Sequence, residues 1–542
     1  MPRFGMGITS GGKGVVKIMA DNADDPRTTA NSETGKFRFN SEQPGNAVGF
    51  ILDIITVEPD FVAYPDGGTT FPFPDRFFLP AGTNSYTCEV MIESWHGSGG
   101  TKWQKWYFFP SYFANKYGLS YVPMCEARGA IDFVSSNTFM GPHLDTAEGQ
   151  VSGSGQIYSY TTNYRLNDWM KTYATGSDLG QNNRPSFSVT VSNAAGAVAS
   201  RFLITVYALP AYDTAIPDYS GTPVSGQEVV RIDKDAGGIA RVALPGYDVY
   251  NSDYKRFLLH EDHIPGKILA AGEITVASGA TEVITTRFTL PLTTYMDFIV
   301  RRAGSTATEK FQFWSPPYID SLNLNQECGF TYVVSGNVVT ITSTADFSIV
   351  IRYMICANAG AAPTTGGKKI LLMGNDGIGD YVQVKRPGSS DVAPNLDDIM
   401  VDTRLSYIPL LAEGFLNYNS TDMPDTMSSP RFKGERKRSL VIPNPNGLLL
   451  FPKMGNIYTD TSVISDYNEP LAQWGAHAVA INAGGDSGKS TGWSTWANII
   501  DETHLDLWSG GNNAYTYLGG ASFYDNTIKG VRYYVFGIPP SL

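Results

Sequence analysis

The sequence has little charge, few cysteines and no long apolar run. Only 17% of its 542 residues are Asp, Glu, Lys or Arg, which is low for a soluble globular protein. No stretch approaches the roughly 20 apolar residues of a membrane-spanning helix, so we expect no insertion into a membrane. The opening residues, MPRFGMGITSGGKGVVKI, lack the apolar core and cleavage site of a secretion signal. We therefore expect a protein that is made in a cytosol and stays soluble.

Cysteine is scarce, and its spacing excludes the usual metal and redox motifs. The four cysteines are Cys88, Cys125, Cys328 and Cys356. None forms a Cys-x-x-Cys pair, so neither a zinc ribbon nor a redox motif is indicated. Predicted strands at 329–334, 337–343 and 347–355 place Cys328 and Cys356 at opposite ends of a sheet, beyond the roughly 7 Å reach of a disulfide. We expect four free, mostly buried thiols, with disulfides as the alternative.

The residues that are plentiful favour strands and turns. The chain contains 56 Gly, 30 Tyr and 28 Phe, and glycine with aromatics suits turns and pleated sheets better than helices. Its formal net charge is −12. A phosphate backbone repels an acidic protein, so we expect no nucleic-acid partner.

Internal repeats organise the chain. The segments that start at Ala240 and Asp380 both contain an alternating strand, a Pro-Gly, an Asp-Val, an apolar pair, an Ile-Pro and then a Gly, at Ala271-Gly272 and Glu413-Gly414. Residues 14–42 form a fainter copy without the Pro-Gly. Similar closing strands end near residues 211, 359 and 539, each after a turn-rich hairpin. Chance similarity among β-rich segments is the alternative explanation.

These patterns predict a mainly β fold of three tandem antiparallel β-sandwich-like domains. Linkers rich in Pro, Gly, Ala and Thr at 210–226 and 357–367 divide the chain into units 1–215, 226–358 and 367–542. The first and third units are longer and should carry insertions. Helix is scarce, and the two candidates lie at 164–175 and 494–503.

The segments 244–259, 385–400 and 531–539 carry a family resemblance. Their opening strand, Pro-Gly-x-Asp-Val-like turn and closing Tyr-Tyr-Val-Phe-Gly-Ile-Pro-like strand resemble small virion proteins of tailed bacteriophages and prophages, which are often encoded near tail-tip and tail-fibre genes. The resemblance covers short parts of each unit, and three units in one chain depart from the single-domain form. It implies a β-rich structural role in the tail, with assembly in the host cytoplasm, and it carries over no catalytic residues.

Two segments could suggest chemistry, and neither has the surroundings that the chemistry needs. The string AGGDSGKST at 483–491 fits a loosened phosphate-binding loop around Lys489. Such a loop requires alternating parallel strands and helices, which are missing, so we predict no nucleotide site. The run from His260 to His263 offers four potential metal ligands, but neighbouring residues point in different directions. We interpret it as a structural turn and predict no metal, cofactor or catalytic residue.

Two other segments suggest contact surfaces. The aromatic stretch 102–113 lies in the expected insertion of the first unit, and four of its residues are candidates for receptor or partner contact: Trp103, Trp106, Tyr107 and Tyr112. Its alternative role is the core of that insertion. The basic run 431–438 is a candidate partner-facing loop through Arg431, Lys433, Arg436, Lys437 and Arg438, or else a solvated loop.

The sequence therefore predicts a non-enzymatic structural component of a phage tail, in the fibre, tip or baseplate region of the virion. The expected partners are copies of itself, as a homotrimer or homohexamer, other virion tail proteins, and a host-surface glycan or protein. The alternatives are a tailspike-like glycan hydrolase, because paired carboxylates are inevitable among 52 acids, and a glycan-binding β-sandwich protein.

Overall fold

The computed structural model describes eighteen segments of the chain. They are residues 3–42, 50–57, 75–79, 90–96, 102–108, 110–129, 138–140, 150–153, 156–159, 161–163, 187–193, 202–233, 238–304, 330–424, 436–460, 471–474, 495–509 and 526–539.

The described strands fall into three consecutive sets, which we name unit one, unit two and unit three. Unit one contains β1 (Phe4–Ile8), β2 (Gly14–Met19), β3 (Phe37–Asn40), β4 (Ile51–Val57), β5 (Asp75–Leu79), β6 (Val90–His96), β7 (Lys102–Phe108), the helix α1 (Pro110–Lys116), β8 (Pro123–Gly129), β9 (Thr138–Met140), β10 (Gln150–Gly153), β11 (Gln156–Ser159), β12 (Thr161–Asn163), β13 (Phe187–Asn193) and β14 (Phe202–Pro210). Unit two contains β15 (Val230–Asp233), β16 (Ile239–Ala243), β17 (Phe257–Leu259), β18 (Lys267–Val276), β19 (Thr281–Thr285), β20 (Tyr295–Arg302), β21 (Phe330–Ser335), β22 (Val338–Ser343) and β23 (Ile349–Ala357). Unit three contains β24 (Leu371–Asn375), β25 (Asp380–Lys385), β26 (Ile399–Asp402), β27 (Leu410–Asn417), β28 (Arg436–Val441), β29 (Leu449–Asp460), β30 (Leu471–Trp474), β31 (Thr495–Asp501), β32 (His504–Ser509) and β33 (Asn526–Ile538).

Each unit begins with the same three-stranded antiparallel meander. The strand orders are β1-β2-β3, β15-β16-β17 and β24-β25-β26. A single turn of 3₁₀ helix precedes the third strand each time, at Thr34–Lys36, Tyr254–Arg256 and Leu396–Asp398. The third strand then carries one extra residue relative to the second, a β-bulge, at the same place in all three meanders. A bulge bends its strand and is a specific feature of a ladder, so its threefold recurrence marks the meanders as equivalent.

Each unit continues as a sandwich of two antiparallel sheets with one shared connectivity. The first sheets have the orders β4-β14-β8, β18-β23-β20 and β27-β33-β29, the last of these extended by β30. The second sheets contain β7-β13-β12, β19-β22-β21 and β28-β32-β31. Strands β5 and β6 extend the second sheet of unit one, and β9 of unit one adds to the edge of β21 in unit two. A strand of unit one therefore forms part of a sheet of unit two.

Backbone hydrogen bonds match among the units at the residue level. The amide of Met19 donates to the carbonyl of Arg3 at 2.9 Å, where Ala243 donates to Val229 at 2.8 Å. In unit three the same bond runs from Lys385 to Ile370 at 2.8 Å. The fainter first copy in the sequence thus has the same local structure as the two clearer ones.

The burial of the strands explains their apolar pattern. Strand β21 alternates between buried residues and half-buried or exposed ones, as expected for a sheet with one covered face. Strand β23 is buried at eight of its nine positions, because the first sheet of each sandwich is covered on both sides. The side chains of these first sheets pack into one continuous hydrophobic cluster, which contains residues from all three units. The units therefore share a core.

The meanders pack against one another in sequence. A Cβ atom placed on Gly14 of unit one would lie 2.9 Å from the Cγ1 of Val242 in unit two. Gly238, at the corresponding point of unit two, approaches the side chain of Pro387 in unit three, where a Cβ atom would lie 2.5 Å away. A second hydrophobic cluster contains residues of all three meanders.

Contacts between unit three and unit one close the ring. The guanidinium of Arg38 donates to the carbonyl of Thr403 at 2.9 Å in the meander layer. In the sandwich layer the rings of Phe50 and Phe536 stack with their centroids 4.7 Å apart. Each unit touches the other two, so the three equivalent units form a closed ring, and we call the line through its centre the axis.

The mainly β, antiparallel fold class is confirmed, and one predicted helix is wrong. Residues 495–501 form strand β31, which pairs with β32 along its length. The short apolar segment fits the period of a helix as well as that of a strand, and its pairing with β32 shows that it is a strand. The helix expected at 164–175 lies outside the described residues, as do Cys88 and Cys328. Cys125 and Cys356 are buried free thiols, as expected.

Candidate functional site

The three units meet around a small cavity between the meander layer and the sandwich layer. Its volume is about 40 Å³, room for about one to three water molecules. Unit one contributes Phe50 and Ile51, unit two contributes residues 265–268, and unit three contributes Met400 and residues 405–408. The cavity thus lies where all three units meet.

Lys267 is the amine in the lining of this cavity. Its side chain is buried, with 6% exposure, and its ammonium donates to the carbonyl oxygen of Pro265. Burial lowers the pKa of Lys267 to about 7, and the negative charge of Asp397 opposes that shift. Burial also raises the pKa of the Asp397 carboxyl. Lys267 therefore changes its charge near neutral pH.

The fold dictates this position. Lys267 opens β18 and directly precedes Ile268, whose equivalents Ile51 and Leu410 open β4 and β27 just before a bulge in each first sheet. The residues that precede them in units one and three are Phe50 and Pro409. Two equivalents are apolar, and unit two places an amine at the same point around the axis.

A second buried charge also lies where the three units meet. Lys453 of unit three pairs with Asp297 of unit two at 2.5 Å, and both side chains are about 5% exposed or less. The ammonium also lies 5.1 Å from the ring centroid of Tyr207 in unit one. Burying a charge costs free energy unless it is paired. Here the two charges of the pair come from units two and three, and the aromatic ring beside the ammonium comes from unit one.

The last strands of units two and three carry a buried arginine at the same position, and that of unit two contacts unit three. Arg352 on β23 bonds Glu273 of its own unit at 2.8 Å and Glu502 of unit three at 2.6 Å. Arg532 on β33 pairs with Glu413 and donates to the hydroxyl of Tyr534 at 2.9 Å. The buried charges of the described residues thus bind strands to strands and units to units.

The turn from His260 to His263 is held by structural contacts. Glu261 accepts from Arg241 at 2.7 Å and from the amide of Ala240 at 3.2 Å. The Nδ1 atom of His260 accepts from the amide of Asp262 at 3.1 Å. The ligand atoms of His260, Glu261 and Asp262 lie within 4.8 Å of one another. However, the glutamate already neutralises an arginine, and one imidazole nitrogen already serves as an acceptor.

Equivalent residues explain why Glu261 occupies this place. Ser41 accepts from the amide of Val16 at 2.9 Å in unit one, and Thr403 accepts from that of Val382 at 3.0 Å in unit three. Glu261 makes the corresponding bond in unit two. Each meander therefore has a hydrogen-bond acceptor at this position. Separately, burial lowers the pKa of both His260 and His263.

The structure places the predicted aromatic surface on two elements. Trp103, Trp106 and Tyr107 lie on β7, which pairs with β13 as β19 pairs with β22. This strand is part of the shared sandwich, and the added strands β5 and β6 lie beyond it. Tyr112 is half-buried on α1, with its ring 5.7 Å from that of the buried Phe113. The aromatic residues are therefore split between a central strand and a helix.

The predicted basic surface lies partly on β28. Arg436 donates to the carbonyl of Met423 at 3.0 Å, and Lys437 pairs with Asp506. Arg438 is exposed. Arg431 and Lys433 lie outside the described residues, as does the string at 483–491. Two of the three described basic side chains are thus engaged within unit three.

Sequence reasoning missed Lys267, the Asp297 pair and the inter-unit role of Arg352. A signal was present for two of them. Arg352 interrupts an otherwise apolar strand, and Lys267 immediately precedes one. A single charge in an apolar strand is rarely buried without a partner, but the sequence does not reveal that the partner belongs to another unit.

The comparisons with known proteins add no relative. No protein-family model, curated protein or solved structure matches the chain. Among the described residues, no helix has the length and apolar character to cross a membrane.

Proposed function

We propose that the chain is a structural component of a bacteriophage tail, in the fibre, tip or baseplate region of the virion. The observation that carries the proposal is the closed ring of three equivalent β units. The buried ions described above serve contacts between strands and units, which suits a rigid support for surfaces better than a reaction centre. Tails are built around threefold and sixfold axes, and a ring of three equivalent units fits such a setting.

The proposed partners are other tail proteins, with attachment to a host-surface glycan or protein as an added role. The sequence also predicts a homotrimer or homohexamer. The ring bears on the predicted homotrimer, because a single chain already supplies three equivalent units around an axis.

Antibody labelling of virus particles tests the proposal. Particles of the phage or induced prophage that carries the gene are labelled with a gold-conjugated antibody against this chain and viewed by electron microscopy. We expect label at the tail end that meets the host. Antibody that has been pre-absorbed with the purified protein is the control and should give no label. Label on the head, or on no part of the particle, would rule out the tail role.

A separate assay addresses the enzymatic alternative. Purified protein is incubated with polysaccharide from the host surface, and reducing ends are measured over time. We expect none above a heat-treated control. A time-dependent release would favour the glycan hydrolase.

A further inference from the structure

Strand β19 of unit two lies at the edge of its sheet and pairs on one side only, with β22. The amide of Thr286, directly after β19, donates to the carbonyl of Asn337 at 2.8 Å in the same register. The main-chain groups of successive residues in an antiparallel strand point alternately towards the neighbouring strand and away from it. The groups that point away from β22 therefore belong to Thr281, Val283 and Thr285.

The equivalent edges of the other two units are covered by their own chain. In unit one, β6 pairs with β7 along its whole length, and β5 pairs with β6 in turn. In unit three, the amide of Lys437 on β28 donates to the carbonyl of Pro424 at 3.1 Å. Within the described ranges, the outward main-chain groups of Val283 have no such partner, and its side chain is 52% exposed. Unit two thus differs from its neighbours in having this edge open.

The chemistry of the open edge specifies what can cover it. A row of outward N–H and C=O groups is complementary to the main chain of another strand. Four of the five residues of β19 are β-branched and favour an extended conformation. The buried Ile284 anchors the strand to the core of its sandwich. The occupant that fits is an extended segment of polypeptide, which in unit one is antiparallel, as β6 lies against β7.

A second copy of β19 supplies such a segment and matches the first. In an antiparallel pair centred on Val283, this residue faces its own counterpart, and Thr281 faces Thr285 of the partner subunit. Glu282 then faces Ile284 of the partner subunit, so no two like charges lie opposite each other even though the chain has a formal net charge of −12. The same pairing joins the outward main-chain groups of both copies and covers the exposed valine.

We propose that two copies of this chain associate through β19, with the two strands antiparallel about a twofold axis at Val283. The four-stranded sheet that contains β19 in one copy then continues into the same sheet of the other. A twofold contact is compatible with the predicted homohexamer but does not by itself build a homotrimer. The inference does not depend on the tail role, which the labelling of particles tests separately.

Sedimentation velocity of the purified protein is the first test. We expect the mass to rise reversibly from one chain to two as the concentration increases, because one pair of short strands buries little area. Hydrogen exchange of the main-chain amides in 281–285 should slow over the same concentration range. The mass of one chain at every concentration overturns the inference, and so does a dimer in which these amides exchange as they do in the monomer.

Substitutions of Val283 are the second test. Val283→Pro removes an outward amide that bonds to no strand of its own chain, and proline is tolerated at such edge positions. Val283→Lys brings two positive charges together at the centre of the pair. Val392→Lys is the matched control, because Val392 is 94% exposed and lies outside the strands. We expect both Val283 variants to weaken association by about tenfold or more, with the thermal unfolding of the monomer unchanged. Association of both variants at wild-type strength would contradict the inference.

A disulfide across the twofold axis is the third test, and it reports the register. The Cα atoms of a hydrogen-bonded pair in an antiparallel ladder lie about 5.5 Å apart, which a disulfide can span. We therefore expect Val283→Cys to form a covalent dimer with glutathione disulfide, as seen by non-reducing electrophoresis. Val392→Cys is the control and should stay unlinked. If Val283→Cys also stays unlinked at concentrations where the wild type is dimeric, the strands do not pair at this residue and the inference is wrong.

Discussion

At the scale of single residues, the axis of the ring differs from an ordinary apolar core because it contains a buried amine. Phe50 and Pro409 precede the first strands of two sandwiches, and Lys267 takes the same place in the third. Asp397 is the acidic group that influences its amine, and Tyr407 also lines the cavity. An amine in these surroundings is costly to protonate, so it links stability to pH.

The sign of this linkage follows from the two states of Lys267. Its pKa is about 7 in the folded protein, against 10.5 for an ordinary lysine. Between these values the unfolded chain holds a proton that the folded chain lacks, so this residue makes stability rise with pH through that window. The slope approaches about 1.4 kcal/mol per pH unit. Below pH 7 both states are protonated, and the full cost of the buried charge is present.

We therefore expect Lys267→Met to stabilise the protein most at low pH. The gain in unfolding temperature should be largest at pH 6 and should shrink steadily towards pH 10, because the wild-type amine loses its charge in the folded state. Calorimetry or circular dichroism at four pH values measures it. Lys13→Met, at an exposed position, is the control and should show little change. A gain independent of pH, or a loss at pH 6, would contradict the assignment.

The pair of Lys453 and Asp297 permits a second test at the residue scale. Asp297→Asn leaves a buried ammonium without its counter-charge, and we expect a loss of about 3 to 5 kcal/mol in the free energy of unfolding. Replacing both residues, as Asp297→Leu with Lys453→Met, removes the uncompensated charge and should recover most of that loss. Denaturant titration of the wild type and the two variants measures the loss and its recovery. If the double variant is as unstable as the single one, the two side chains do not act as a pair.

At the scale of elements, glycines pair with tyrosines across the first sheets of units two and three. Gly272 lies opposite Tyr353, and Gly414 lies opposite Tyr533 at the matching point. A Cβ atom on Gly414 would overlap the ring of Tyr533. The glycine thus allows the tyrosine ring to lie flat over the neighbouring strand.

Gly414→Ala should consequently destabilise the protein. The added methyl group must displace the ring, and overpacking of this kind costs about 1 to 3 kcal/mol. Gly7 on β1 is the control, because nothing lies within 4 Å of a Cβ atom placed there. We expect Gly7→Ala to be neutral or slightly stabilising in the same thermal melts. Equal effects of the two substitutions would show that strand propensity, and not the tyrosine, governs the site.

The elements also show where sequence reasoning succeeds. Alternation and turn residues locate the strands β21, β22 and β23 to within two residues, because a half-buried hairpin leaves a period-two signal. The same local signal fails at 494–503. Trp496 and Ile499 fit a helix as well as a strand, and only the pairing of β31 with β32 settles the matter. The ring, and the charges that it buries, stay hidden because their contacts join residues more than a hundred positions apart.

At the scale of the whole molecule, covalent order and spatial order differ. Two linkers join unit one to unit two and unit two to unit three, but unit three meets unit one only through non-covalent contacts. The hydroxyl of Tyr534 donates to the carbonyl of Pro210 at 2.7 Å, and Phe50 stacks on Phe536. If the three interfaces are equivalent, the position of the chain break around the ring should matter little.

A circular permutant tests this equivalence. A Gly/Ser linker of about ten residues joins the present ends, and the chain is reopened at the exposed Gly226 in the first linker. We expect it to fold with one cooperative transition within a few degrees of the wild type, because every inter-unit contact is retained and only an exposed segment is cut. A permutant opened inside the buried strand β23 is the control and should not fold. Separate transitions for the units in the linker permutant would mean that the covalent order, and not the shared core, holds the ring together.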